Sequence, residues 1–281
     1  MASIKDKLLA IGAALAYPQV RLKPAITKEH FSGKWVLVTG ASHGIGRALT
    51  EKLIDADANV FLIARSEADL QYLCDRSKQR GNCADYCAID LRDREKLELL
   101  CQKLKETLPQ LDYFFCNAGK SIHRKITDAL DRLHDYDRTI DLNYRALVAL
   151  SLALLPALKA SKGSIIYSSS VSTRYPMAPG WSAYHASKSA ANTWCETANS
   201  EFAPLGIRVQ IAYLPLVHTA MSDVNERYRQ LLAYYPADAA NILLRLAIRK
   251  GKRYQPWWAK LSAPIAYLFA PIVHLFYKRM V

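Results

Sequence analysis

Tyr184 and Lys188 stand four residues apart in the run YHASK, and on a helix that spacing puts both side chains on one face. A free phenol has a pKa of about 10 and exchanges protons slowly near neutrality. An ammonium held beside it favours the phenolate and draws that pKa towards a working pH. The pair is therefore a candidate proton donor and acceptor. Alone it is weak, because Y-x-x-x-K also arises by chance as a solvent-facing pair. It gains weight from SIIYSSSV, residues 164–171, a strand-like run ending in hydroxyls shortly before the tyrosine.

A second group of residues sits near the other end. In KWVLVTGASHGIGRALTEKLI, residues 34–54, strand formers Trp35 to Thr39 lead into Gly40, Gly44 and Gly46, and then a helical pattern begins. Gly40 would end the strand in a tight turn, Gly44 would let backbone approach a pyrophosphate, and Gly46 would let the helix pack closely on the sheet. The unpaired N–H groups at the helix start would face the phosphates. A lone Gly-rich turn can also be a plain connector, so the elements around it decide.

Those elements alternate. Strand signals fall at 59–64, 84–89, 111–116, 163–169 and 207–214, and helical patterns at 46–56, 66–80, 93–107, 129–158, 181–203 and 237–250. Alternation at this spacing predicts an α/β fold, a doubly wound parallel sheet (Rossmann fold) with helices on both faces. With 281 residues, 51% of them hydrophobic, the chain can bury a large single core. No repeat, low-complexity stretch or linker divides it. The expected organisation is a catalytic domain over 32–254, an N-terminal amphipathic extension over 1–31 and an apolar tail over 255–281. The six cysteines have neither metal spacing nor a disulfide framework, so no metal site is expected, and Cys83 and Cys87 are expected as buried free thiols.

Charge is confined to the ends. Of the net +13, residues 1–34 carry +4 and residues 241–281 carry +8, leaving +1 for the middle. Such a distribution argues for a membrane surface rather than nucleic acid as the partner of the termini. Ile4, Leu8, Ile11 and Leu15 recur at helical spacing with Lys5 and Lys7 off the stripe, which reads first as a helix packed on the body and second as one lying on a membrane. A signal peptide ending at Ala14-Leu15-Ala16 is the weaker alternative, since export would separate a nucleotide enzyme from its cofactor. At the other end Trp257 and Trp258 precede residues 261–277, seventeen residues without formal charge that close at Lys278-Arg279. Pro264, Pro271 and His274 count against a spanning helix. Spanning stays as the weaker alternative beside packing on the body or a subunit and monotopic attachment, and the tryptophan and lysine flanks favour attachment.

Taken together, TGASHGIG, CNAG, DLNYRA and YHASK resemble the short-chain dehydrogenase/reductase family. The likeness spans about residues 33–220. It implies Tyr184 as general acid, Lys188 as its tuner and a ligand of the nicotinamide ribose, Ser170 as hydrogen-bond donor to the substrate carbonyl, and Asn143 as the holder of a relay water. It implies cofactor contacts from Gly40, Ser42, His43, Gly44, Ile45 and Gly46, from Asp90 at the adenine, from Asn117, Ala118 and Gly119, and from Val217 and Thr219 at the carboxamide. Cys116 replaces the asparagine usual before that NAG run. Ser170 precedes Tyr184 by one residue more than is usual, so Ser169 or Ser172 are alternatives, with Ser170 favoured by its distance from Gly163. After the sixth strand LPLVHT departs from the family's P-G-x-V-x-T, and His218 reads as a loop residue.

Cofactor choice rests on the end of the second strand. A carboxylate there would bind the ribose hydroxyls of NAD and repel a 2′-phosphate. This chain has Ala64, then Arg65, whose guanidinium can pair with phosphate through two hydrogen bonds. NADP(H) is therefore the expected cofactor. CNAGKSIHRKITDALDRLHDYDRTIDLNY and YLPLVHTAMSD are similar to bacterial fatty acyl-CoA and fatty aldehyde reductases of the family. That implies NADPH-dependent reduction of a long-chain aldehyde or acyl thioester, a lipid-like substrate. Reduction of a 3-oxoacyl thioester or a hydroxysteroid-type ketone is the alternative, and an inactive NADP-sensing scaffold a third. The expected setting is cytoplasmic, peripheral on the inner face of a membrane, as a dimer or tetramer.

Overall fold

The computed structural model describes residue 12 and residues 15–223 and 226–279. Its centre is a seven-stranded sheet in the order β3-β2-β1-β4-β5-β6-β7, every pair parallel. The strands are β1 Trp35–Thr39, β2 Asn59–Ala64, β3 Ala84–Ala88, β4 Tyr113–Cys116, β5 Ser164–Ser170, β6 Arg208–Leu214 and β7 Arg253–Tyr254. Their apolar runs have no polar alternation because both faces are covered. Val36, Val38, Val60 and Leu62 enter one core cluster, and their neighbours Leu37, Phe61 and Ile63 enter the other.

The first cluster is closed by α2 (Gly44–Asp55), α3 (Glu67–Gln79) and α9 (Pro236–Arg249), which follows the single-turn α8 (Glu226–Arg229), and the second by α4 (Arg94–Thr107), α6 (Ala146–Ser161) and α7 (Ser182–Phe202). Strand order reverses between β1 and β4, which opens a crevice beyond their carboxyl ends, where ligands of such sheets bind.

Several expectations change. The 129–158 helix begins at Leu133 as α5 (Leu133–Ile140), passes through a π turn at Asp141–Arg145 and continues as α6. Leu133–Ser161 is long and apolar enough to cross a membrane, but half of its most apolar stretch is buried, so it serves as a core helix. Cys83 is exposed and Cys87 half-buried, because β3 is the edge strand and has a neighbour on one side only. Short β7, unforeseen in the sequence, pairs with β6 at the opposite edge.

Of the N-terminal stripe, Ile4, Leu8 and Ile11 lie outside the described residues, as do Lys5 and Lys7, while Leu15 is exposed. The rest of the 1–31 segment joins the body. Val20 is buried, and α1 (Pro24–Phe31) inserts Phe31 completely, with its ring 4.8 Å from that of Tyr113. The tail forms α10 (Trp257–Leu268) and α11 (Ala270–Lys278), bent by 82° at Phe269. Pro271 in the first turn of α11 lacks the N–H that would continue α10, which accounts for the break.

Candidate active site

Gly40 adopts φ +68° at the end of β1, in the left-handed region that glycine enters without a Cβ penalty. A Cβ on Gly46 would collide with the Gly40 carbonyl oxygen and with Asn117, so only glycine lets α2 start this close to the strand. The capping residue His43 makes no side-chain bond to the helix, and the first turn holds no acid. The N–H groups of Gly44, Ile45 and Gly46 therefore face outward as donors for an anion. The Thr39 hydroxyl accepts from the backbone N–H of Asn117 and of Ala118, both at 3.1 Å, and so ties β1 to the β4 loop. Thr219 closes the other side, lying 3.2 Å from where a Gly44 Cβ would sit. Val217 is buried beside it in a bridge to Tyr234.

At the end of β2 Ala64 is buried and Arg65 exposed. Asp90 is gripped by Arg92, with the guanidinium Nε 2.9 and 3.1 Å from its two oxygens. That bond, assisted by the charge of Arg65, holds the Asp90 carboxyl below its ordinary pKa. Ser42 is buried with its hydroxyl 2.8 Å from His43 Nδ1. An unforeseen acid, Asp69 in the first turn of α3, gathers Ser66, Arg47 at 3.2 Å and His43 at 3.7 Å. Arg47 and Asp69 could not be singled out from sequence, because charged residues in a first turn are ordinary.

The hydroxyl-bearing groups converge beyond the ends of β4 and β5. Tyr184 and Lys188 share the inner face of α7. Lys188 is buried, donates to the Ser168 carbonyl at 2.8 Å and lies 4.7 Å above the Tyr167 ring. Asn143 sits in the π turn of the long helix, a distortion that recurs at functional sites. Its amide accepts from Lys120 N at 2.8 Å and donates to Lys120 O and to Ser187 Oγ, each at 2.9 Å. A Cβ added to Gly119 would meet Asn143 Oδ1 at 3.2 Å and Lys188 Nζ at 3.4 Å, so Gly119, Asn143 and Lys188 occupy one spot.

The three candidate serines separate. Ser169 is buried and donates to Asn192 at 2.6 Å, away from the tyrosine. Ser170 lies near enough to the Tyr184 phenol to lower its pKa and is 2.9 Å from Ser172 Oγ. Ser172 in turn meets His185 Nε2 at 3.1 Å. Three effects besides that expected of Lys188 act on the Tyr184 pKa. Burial raises it, the Ser170 hydroxyl pulls it back, and Tyr228 adds to the rise. The Lys188 ammonium is turned to the Ser168 carbonyl, and burial lowers its own pKa to about 8. Cys116 behind the site is pushed up to about 12 by burial, so the thiol is uncharged. His185 and Ser187, which the YHASK spacing does not single out, are both buried and bonded into the site. Trp181 and Tyr228 stack at 5.9 Å against the cleft. His218, 3.6 Å from Asp223, stays in its loop.

Above the cleft, the loop after Ser170 is held by the C-terminal helices. Tyr175 Oη lies 2.6 Å from Ser262 Oγ, and the Tyr267 hydroxyl donates to the Tyr175 carbonyl at 3.2 Å. A cavity of about 450 Å³ separates Thr173 and Arg174 from Gln255, Lys260 and Tyr267.

Comparison with known proteins adds to this geometry. The family profile described as short chain dehydrogenase matches residues 34–229. A fatty acyl-CoA reductase from Acinetobacter baylyi is 33% identical over 251 residues, 89% of this chain and 84% of that protein. A fatty acyl-CoA reductase from Mycobacterium tuberculosis is 32% identical over 241 residues, 85% of this chain and 82% of that one. Among solved structures, a metagenomic short-chain oxidoreductase in complex with NADP superposes with a TM-score of 0.66 at 26% identity, covering 80% of this chain and 96% of its own.

Proposed function

The chain belongs to the short-chain dehydrogenase family, and from that premise we propose that it is an NADPH-dependent reductase of long-chain acyl carbonyls, aldehyde or thioester, with Tyr184 as proton donor. The observation that carries the reading is that Ser170, closing β5, and Tyr184, one turn from buried Lys188 on α7, face one site, with the Ser170 hydroxyl near enough to lower the pKa of the phenol. Two donors there can bind one carbonyl oxygen together.

The residues at the Gly-rich turn fit a dinucleotide, because Gly40 at φ +68° and Gly44 at φ +54° shape the turn and no side chain caps the first N–H groups of α2. Gly40, Ser42, His43, Gly44, Ile45 and Gly46 would hold the pyrophosphate end, and Arg65 the 2′-phosphate. Asp90 would take the adenine, and Asn117, Ala118, Gly119, Val217 and Thr219 would line the nicotinamide end. When bound, NADPH supplies the hydride. Ser170 orients the carbonyl oxygen, and Tyr184 gives it the proton. Lys188 fixes the floor through the Ser168 carbonyl, and Asn143 keeps the Lys120 backbone in place for a proton relay. A phenol held neutral by burial suits a group that must arrive protonated.

A lipid-like substrate is supported by the two fatty acyl-CoA reductases among the relatives. The termini support delivery from the inner face of a membrane. Trp257 donates to the Leu15 carbonyl at 2.8 Å and Trp258 to that of Ala16 at 2.9 Å, which joins both basic ends into one platform. Exposed Leu261, Ile265, Leu268, Phe269, Ile272 and Phe276 form its apolar face, and no acid occurs after Asp238. The 82° bend suits helices lying on a bilayer rather than crossing it.

The test is Tyr184→Phe. Turnover falls by three orders of magnitude or so while NADPH binding stays within about twofold, since one hydroxyl is lost and general acid catalysis contributes on the order of 10²–10⁴-fold. A folded Tyr184→Phe enzyme with near-normal turnover ends the proposal.

A further inference from the structure

We propose that His185 is a positioning residue for Ser170, acting through Ser172. His185 Nε2–H donates to Ser172 Oγ, Ser172 O–H donates to Ser170 Oγ, and the Ser170 hydrogen is left to point at the oxygen beside Tyr184. The inference rests on the catalytic reading above and adds a residue to it.

The spacing establishes the run: 3.1 Å from His185 Nε2 to Ser172 Oγ and 2.9 Å from there to Ser170 Oγ. Ser170 Oγ also accepts from the Ser172 backbone N–H at 3.3 Å. Each hydroxyl has one hydrogen to give and two lone pairs, so the run can be directed either way. One direction spends the Ser170 hydrogen on Ser172, and Ser170 then offers a carbonyl only lone pairs. The other fills both Ser170 lone pairs from Ser172 and leaves its hydrogen for the substrate.

The tautomer of His185 chooses between them. The residue is 5% exposed, and its Nδ1 is buried with no partner among the described residues. A proton on Nδ1 would strand a donor in the interior, whereas a proton on Nε2 strands only a lone pair. Orphaned buried N–H groups are the rarer and costlier of the two. Nε2 therefore carries the hydrogen and must donate it to Ser172. Burial also lowers the pKa of the imidazole, which keeps it neutral. With Nε2 as donor, the run points from α7 through the turn after β5 towards the tyrosine. Aligned hydrogen bonds polarise one another, which makes the last hydroxyl a better donor. The Ser170 hydroxyl already lowers the Tyr184 pKa, as a donor to its oxygen would.

The test has a spectroscopic and a kinetic arm. Nitrogen-15 NMR of the folded full-length protein should find the His185 proton on Nε2, and a proton on Nδ1 overturns the proposal whatever the enzyme reduces. In turnover with NADPH and decanal, His185→Leu and Ser172→Ala should each lower kcat about tenfold, the size of one lost hydrogen bond at the carbonyl. NADPH affinity should stay unchanged. His185→Gln should recover most of the loss, because its amide nitrogen reaches the Nε2 position and still donates. The His185→Leu/Ser172→Ala double variant should lose no more than either alone. A glutamine variant as slow as the leucine one, or losses that multiply, refutes the relay. Should His185→Leu not fold, Ser172→Ala and His185→Gln carry the comparison. Tyr184→Phe keeps the two ideas apart: full activity there removes the catalytic reading, while a dead Tyr184→Phe with an unimpaired Ser172→Ala removes the relay alone.

Discussion

The cleft beyond β5 and the platform built by the two termini invert each other. In the cleft, polar groups are buried and nearly all of them are bonded: Lys188 to a carbonyl, Asn143 to three partners, Ser169 to Asn192. On the platform, apolar groups are exposed with none of the described residues covering them, Leu268 at 75% and Ile272 at 64%. Each arrangement costs free energy in contact with water. The cleft uses its cost to hold donors against a carbonyl. The platform's cost would be recovered if the proposed membrane surface covered it. The two are joined physically, since Tyr175 and Tyr267 tie the loop after Ser170 to α10.

The largest effect that sharpens this contrast is Lys188→Met. Turnover should fall at least a hundredfold, yet at pH 7 the variant should be no less stable than the parent. The sign follows from the pKa, lowered from 10.5 to about 8 by burial. Below pH 8 the folded protein carries the penalty of a buried charge, at most about 3 kcal/mol by linkage. The penalty fades as pH rises through 8 towards the unfolded value. Any advantage of the methionine variant in denaturant melts should therefore shrink between pH 7 and 10; an advantage that grows with pH would mean that Lys188 is not held as described.

Ser170 against Ser169 comes next. Ser170→Ala should cost about a hundredfold in turnover with little change in melting temperature. Ser169→Ala should leave turnover within a few-fold and lower stability by about 1 kcal/mol, because Asn192 loses its buried donor. The opposite pattern would move the catalytic hydroxyl to Ser169.

Arg65→Ala should weaken NADPH by about 1.5–3 kcal/mol, the value of a hydrogen bond to a charged group, and leave NADH nearly untouched. Equal losses for both cofactors would mean that Arg65 does not read the 2′-phosphate.

Much of the cleft was legible in the sequence because its constraints are local. Gly40 and Gly46 must be glycine where the strand turns into the helix, and a four-residue step puts Tyr184 and Lys188 on one face. What stayed hidden depends on partners distant in sequence. Lys188 reaches back twenty residues to Ser168, His185 thirteen to Ser172, and Asn143 forward forty-four to Ser187. No spacing within a motif announces such bonds. The platform divided differently. Its charge and apolarity were plain in the composition, but the bend at Phe269 and the meeting of Trp257 with Leu15 came only with the fold.

The smallest expected effect concerns the platform. Full-length protein should sediment with anionic vesicles better than with neutral ones, at about 1 kcal/mol for each basic residue near the surface, and added salt should weaken the binding. Deleting residues 255–281 should release the protein if circular dichroism shows it still folded. Protein that stays in the supernatant with anionic vesicles at low salt would assign the apolar face to a second copy of the chain.

The most direct measurement of the central claim is a substrate panel with purified protein. Decanal, palmitoyl-CoA, a 3-oxoacyl thioester and a steroid ketone would each be offered with NADPH and with NADH. The account predicts turnover of decanal or palmitoyl-CoA, with NADPH preferred over NADH. Reduction of the 3-oxoacyl thioester or the steroid ketone alone, or a preference for NADH, would contradict it.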